Sequence, residues 1–144
     1  MATTGKFNGD SVLIYVGGTS GVASSGDPIA HSIDATLSVS QDLPDATTKD
    51  SSQWVEHIKG NKSWEISGSG LVAYDSSFNL EYVMEQLINA ATVFVRFGSN
   101  EAGDTEWTGN VSVSSSSFSA PQNSAAGYDF TFTGNGALTQ VIIT

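Results

Sequence analysis

From Leu80 onward the apolar residues Leu80, Val83, Met84, Leu87, Ile88 and Ala91 recur at offsets of 0, 3, 4, 7, 8 and 11, which is one face of a 3.6-residue period. Asn79, Glu81, Glu85, Gln86 and Asn89 fall outside that stripe. The spacing predicts one helix over about residues 78–91, capped by Ser77 or Asn79, with Glu81 suited to its positive end. The rest of the chain reads as β-structure. Residues 11–16 (SVLIYV) form a nearly continuous β-branched and aromatic run, as in a strand buried on both faces. Over 29–40, Ile33, Ala35, Leu37 and Val39 alternate with Ser32, Asp34, Thr36, Ser38 and Ser40, predicting a strand with one packed and one wetted face. Over 62–73, Trp64, Ile66 and Val72 share their parity with Gly68 and Gly70, and such interior glycines mark a bulge, a bend or a close approach.

Further strands are predicted at 92–97 (TVFVRF, with the lone arginine, Arg96), at 105–117 and at 128–133, where Tyr128, Phe130 and Phe132 alternate with polar residues. Gly134-Asn135-Gly136 signals a tight turn before a last strand at 137–143. Residues 17–27 are rich in Gly and Ser and read as a turn or mobile loop. Residues 1–10 read as a loose arm with Phe7 as its one anchor. The expected fold is mainly β: a two-sheet β-sandwich or flattened barrel of about seven strands with one flanking helix. All of it falls in a single domain, 1–144.

The stretch 41–61 breaks the pattern. It is long for a structureless connection in a compact domain, so it is either functional or mobile. Trp54, Val55 and Ile58 give it apolar residues suited to a short helical turn or to a patch that a partner covers. Tryptophan is enriched among interface anchors, which favours the partner.

Charge sharpens that expectation. Fifteen acidic against five basic residues give a net charge of −10, which opposes gripping a phosphate backbone and remains compatible with nucleic acid passing by. Three of the five basic residues, Lys49, Lys59 and Lys62, sit in the irregular stretch or at its border, as complementary contact surfaces often do. The absence of cysteine excludes disulfides and thiolate-bound zinc. No apolar run approaches the roughly 18 residues that span a bilayer, and residues 1–10 lack the apolar core of a secretory signal.

Catalytic constellations are missing. His31 and His57 have no second histidine at metal-binding spacing. Gly68-Ser69-Gly70 lacks the spacing of a nucleophile elbow, and the glycine-rich run at 17–26 has neither lysine nor a following helix to cradle phosphate. Glu56 with Glu65, or Glu101 with Glu106, qualify as acid/base pairs only because carboxylates are plentiful. Asp42, Asp45 and Asp50 crowd one loop without calcium-loop spacing. No cofactor is implied. A carbohydrate-binding sandwich, with Trp64, Trp107 and Tyr128 stacking on sugar rings, is the reading from a different class. The Ser/Thr faces at 32–40 and 108–116 suit either solvent or sheet-to-sheet assembly between copies.

One resemblance gathers these features. Thr47-Thr48-Lys49-Asp50-Ser51, then Trp54, Gly60-Asn61-Lys62-Ser63-Trp64 and Ser67-Gly68-Ser69-Gly70-Leu71 resemble the major tail protein family of tailed bacteriophages, in the branch typified by lactococcal phage TP901-1. The resemblance is strongest over 29–91. It implies a structural, non-enzymatic subunit that joins copies of itself into rings, typically of six, stacked as a tube that conducts DNA without binding it specifically. The inner tube of a contractile injection machine is the nearest variant. Implied partners are a tape-measure protein, tail terminator and baseplate or tip proteins, and a sheath if the tail contracts. Transferred to this chain, the loop 41–61 and the arm 1–10 reach neighbours. The implied contact residues are Lys49, Asp50, Trp54, Lys59 and Lys62, with Asp34 facing the lumen.

Overall fold

A computed structural model describes residues 3–23, 25–29, 32–74 and 78–144. Ser77, His31 and the first two residues of the predicted arm lie outside that set. The described strands are β1 (Leu13–Val16), β2 (Asp27–Pro28), β3 (Ser32–Gln41), β4 (Lys62–Leu71), β5 (Thr92–Gly98), β6 (Thr105–Ser119), β7 (Gly127–Gly134) and β8 (Thr139–Ile142). The helix α1 (Leu80–Ile88) connects β4 to β5.

All eight strands belong to one antiparallel sheet in the order β2-β1-β5-β6-β7-β4-β3, with β8 on β6. The mainly-β expectation with one flanking helix therefore holds, but two separate sheets do not form. Connectivity dictates how the single sheet closes. β2 and β3 occupy opposite edges, which in a flat sheet of this order would stand about 29 Å apart at ~4.8 Å per strand. The few residues joining Pro28 to Ser32 span at most ~15 Å. The sheet is therefore rolled, and contacts between β1 and β3 mark where its edges approach. They approach without pairing, so the barrel has a seam.

The inner face is assembled from the alternating residues. Ile14, Val16, Trp64, Ile66, Val93, Val95, Val111, Val113, Tyr128, Phe130 and Phe132 form one buried cluster, completed by Leu80 and Val83 of the helix. Phe130 explains Gly68 on the neighbouring strand: a Cβ there would come within 2.8 Å of its ring and force a shift.

Both edges of β7 are taken, by β6 and β4, which explains a departure from expectation at 134–136. Those residues do not reverse the chain into a β7–β8 hairpin. Instead β8 continues beyond β7 along β6, the two pairing with successive stretches of it. A Cβ on Gly134 would overlap the Trp64 indole, one on Gly109 would lie 2.6 Å from it, and the indole Nε1 donates to the Gly136 carbonyl at 3.0 Å. The glycines make a seat for the tryptophan, and the interruption between β7 and β8 is part of that seat.

The helix begins as predicted, with the Asn79 side chain accepting from the Glu81 amide at 3.0 Å. It ends at Ile88, three residues short of the predicted limit. Ala90 turns left-handed (φ 52°), and the Ala91 amide reaches back to the Gln86 carbonyl at 3.0 Å, the closing pattern of many helix ends. Leu80 and Val83 are buried, whereas Ile88 swings out to 81% exposure. The packed face expected for β3 is likewise incomplete: Ala35 and Leu37 are half-buried, but Ile33 and Val39 are exposed.

Candidate assembly surface

Between β3 and β4 the chain continues the hairpin as an irregular two-stranded ribbon. Amide-to-carbonyl bonds tie Asp42 to Asn61 (2.9 Å), Gly60 to Asp42 (2.7 Å), Ile58 to Pro44 (3.0 Å) and Ala46 to Glu56 (2.8 Å). Asp45 and His57 face each other across it. The Thr47 hydroxyl accepts from the Glu56 amide at 3.0 Å. Asp45 accepts from the Thr47 amide at 2.8 Å, and bonding to Thr47 lowers its carboxyl below 3.8. At the tip the Ser51 hydroxyl accepts from the Thr48 amide at 3.0 Å, and Ser52 and Gln53 turn through positive φ. The ribbon is built of backbone bonds and short polar side chains, which sequence periodicity does not register. No helical turn forms here.

What the ribbon lacks is a core. Trp54 is 78% exposed and Val55 67%, and Leu43 and Ile58 are exposed beside them. Lys49, Asp50, Lys59 and Lys62 are exposed as well, and none of the lysines forms an ion pair among the described residues. The predicted contact residues therefore share one projecting arm, with Lys62 at its root on β4. Such an uncovered apolar group on an extension that cannot fold back on a core has the character of an interaction surface.

Asp34 lies elsewhere, near the start of β3, and its Oδ1 accepts from Ser69 at 3.1 Å. It begins a broad outer wall. Register places Thr36, Ser38 and Ser40 on the same side of β3, opposite Ser67, Glu65 and Ser63 of β4. Asp129, Thr131 and Thr133 of β7 continue that side, and Ser112, Ser115 and Ser117 of β6 complete it. Hydroxyls and carboxylates face outward here.

The aromatic platform suggested for sugars does not exist as such. Trp64 and Tyr128 are core residues, and burial pushes the Tyr128 phenol up to about 12. Among the described residues no cluster of three or more metal-ligating side chains occurs.

A second polar feature was not legible as a site. Arg96 and Glu106 are fully buried, with Arg96 Nη2 at 2.7 Å from Glu106 Oε2 and Nε at 3.1 Å from the same oxygen. The guanidinium also donates to the Ser25 carbonyl, to Val22 O at 3.0 Å and to Asn100 Oδ1 at 3.0 Å. Glu106 accepts the Gly21 amide. The Gly/Ser loop expected to be a turn or mobile is thus strapped over β5 and β6 by a buried ion pair. Thr144 pairs with it on the other side, its amide 2.7 Å from the Gly21 carbonyl. The available signal was a charged residue inside an apolar strand, with Glu106 on the next strand within diagonal reach. Glu106 is consequently a structural partner and not half of an acid/base pair.

The chain is thus a rolled antiparallel sheet with an open seam, a hydroxyl-rich wall and a projecting apolar arm. The sequence profile of the phage tail tube protein family matches residues 6–140; this chain belongs to that family and is a tail tube subunit. Several solved structures share the fold, among them these three. The tail of an empty gene transfer agent particle, refined with C6 symmetry, superposes with a TM-score of 0.77 at 21% identity, covering 93% of this chain and 98% of that one. The virion of a native gene transfer agent particle gives 0.77 at 20% identity over 94% and 98%. The SPP1 tail tube gives 0.73 at 9% identity over 96% and 81%. No match was found among curated proteins. Among the described residues no helix is long and apolar enough to cross a membrane.

Proposed function

We propose that this chain is the repeating unit of a tube that conducts DNA out of a virion, assembled from rings of six subunits stacked along the tail. The observation that carries this reading is the projecting arm: Trp54, Val55 and Ile58 are uncovered in the single chain, and a second copy is what covers them. C6 symmetry in the similar gene transfer agent tail supports the number six. Rings also remove a hazard, since the free outer edge of β3 is a template for uncontrolled pairing until symmetry closes it.

In this reading residues 1–144 act as one tube domain, with the arm 1–10 and the loop 41–61 engaging neighbours. Lys49, Asp50, Trp54, Lys59 and Lys62 form the contact, with Trp54 as anchor. The outer wall of β3, β4, β7 and β6 faces the lumen, with Asp34 at one end. A wall of hydroxyls and carboxylates cannot exchange counterions with DNA as basic grooves do, so DNA slides. The role is structural and requires no catalysis. A tape-measure protein, a tail terminator and baseplate or tip proteins complete the tail, with a sheath if it contracts.

Electron microscopy of purified protein at rising concentration tests this. Wild type forms rings and tubes. Trp54→Ala remains folded and fails to form them; tubes of that variant indistinguishable from wild type would defeat the assignment of the arm.

A further inference from the structure

Thr3 closes the N-terminal arm onto its own barrel. Its amide donates to Asp104 Oδ1 and its hydroxyl to Oδ2, both at 2.6 Å, so one residue grips both oxygens of one carboxylate. Among the described residues these are the only hydrogen bonds that join residues 3–7 to the barrel. Resting on the assembly reading above, in which residues 1–10 engage a neighbour, we infer that this contact is an autoinhibitory latch. It holds the N-terminal arm on its own barrel in the free subunit and must open before the arm serves another copy.

The N-terminal arm is tied there but not packed. Residues 3–10 are all exposed. A recess of about 210 Å³, lined by Gly5 and Phe7 of the arm and by Val12 and Trp107 beneath it, remains open. Phe7 is 56% exposed beside it. Apolar burial therefore contributes little to the closed position, and the Thr3 bonds decide it. The catch, by contrast, is built into the barrel. Ser99 donates to Asp104 Oδ2 at 2.6 Å, and the Asp104 carbonyl accepts the amide of the buried Ile143 at 2.9 Å. A fixed receiver under a loosely covered strap makes a contact that opens without disturbing the core.

The backbone is shaped for two positions. Asn8 caps the short turn at Gly9–Ser11, its side chain accepting from the Asp10 amide at 3.3 Å, which fixes the pivot. Gly5 has φ 75°, a conformation that other L-residues adopt only at a cost, so the closed path depends on glycine there. Opened and extended, residues 3–8 reach about 20 Å from the pivot. A subunit joins its neighbour only while the latch is open, so the closed fraction lowers its apparent affinity for other copies. A latch worth one net hydrogen bond to a charged group holds about nine arms in ten closed and raises the tube-forming concentration about tenfold.

The concentration at which tubes appear, read by light scattering and electron microscopy at neutral pH, tests the latch. Two unrelated changes open it. Asp104→Asn sets an amide donor against the Thr3 donors, and Gly5→Ala disfavours the closed backbone while its Cβ meets nothing within 4 Å. Each is expected to lower that concentration about tenfold with the thermal transition of the monomer unchanged. Thr3→Cys/Asp104→Cys, closed as a disulfide in this otherwise cysteine-free chain, is expected to form no tubes until reduced. If the reduced form also fails, the two opening variants alone decide. Tubes from the oxidised form at the wild-type concentration, or an unchanged or raised concentration in either opening variant, overturn the latch while wild-type tubes keep the assembly reading. Failure of wild type to form tubes at any concentration overturns the assembly reading and the role of the latch with it.

Discussion

Trp54 and Trp64 stand ten positions apart, yet one is 78% exposed and the other 6%. Residue type does not separate them; what surrounds them does. Trp64 sits on an inward-facing position of β4 and enters a seat formed by Gly109 of β6, Gly134 of β7 and Gly136 in the link after β7. Trp54 stands on a ribbon held by its own backbone bonds, with no layer beneath it. The barrel wall completes itself within one chain. The arm is ordered in shape but lacks a surface to pack on.

The sharpest way to break the comparison is to truncate each tryptophan in turn. Trp64→Ala is expected to cost about 3–5 kcal/mol, because removing a buried indole leaves a cavity that its glycine seat cannot refill. Trp54→Ala is expected to change monomer stability by no more than about 0.5 kcal/mol, the range of an exposed site. Urea denaturation of dilute, unassembled protein reads both. Equal losses would mean that the arm is part of the folding core and that the contrast is false.

A second test asks whether the wall's other covering, the strapped loop, belongs with the barrel or with the arm. Arg96→Met leaves Glu106 buried without its partner and is expected to destabilise the monomer by about 3 kcal/mol, the lower end for breaking such a pair because a short covering loop lets water in. Arg96→Met with Glu106→Leu is expected to recover most of that loss, since replacing both ions by apolar groups removes two desolvation costs together. A double variant no more stable than the single one would show that the carbonyl contacts of Arg96 to Val22 and Ser25, rather than the ion pair, hold the loop.

The same contrast separates what the sequence discloses from what it conceals. The helix and the main strands follow from periodicity because each buries one face, and burial imposes a repeat. The proposed contact residues of the arm stand out by composition, as a tryptophan and three lysines in or bordering a stretch without period. Long-range partners left no such trace. The path of β8 along β6 depends on β7 already having β6 and β4 on its two edges, and local turn chemistry at 134–136 carries no information about those partners. The two-residue β2 is too short to show a period, and the strapping of the loop at 17–26 depends on an arginine some seventy residues downstream. Single-sheet closure became evident only from strand order, which places β2 and β3 at opposite edges with too little chain between them to span a flat sheet.

The smallest expected effect lies at the N-terminal arm, which is neither wall nor projecting ribbon. Thr3 donates its amide and its hydroxyl to the two Asp104 oxygens, both at 2.6 Å, and Ser99 donates to Oδ2 at 2.6 Å. The hydrogen bonds from Ser99 first, and then from Thr3, hold the Asp104 carboxyl below its ordinary value of 3.8. A folded-state value depressed in this way means that the contact is fully present above 3.8 and is lost as the pH falls through the lower, folded value. The Thr3 amide resonance followed by NMR is therefore expected to stay constant from neutral pH down to about 4 and to shift below it. Asp104→Asn should flatten that transition and loosen the arm at pH 7, with little change in the stability of the barrel. A Thr3 transition above pH 4, or an arm equally ordered in the Asn variant, would show that this latch does not hold it and would group the arm with the wall.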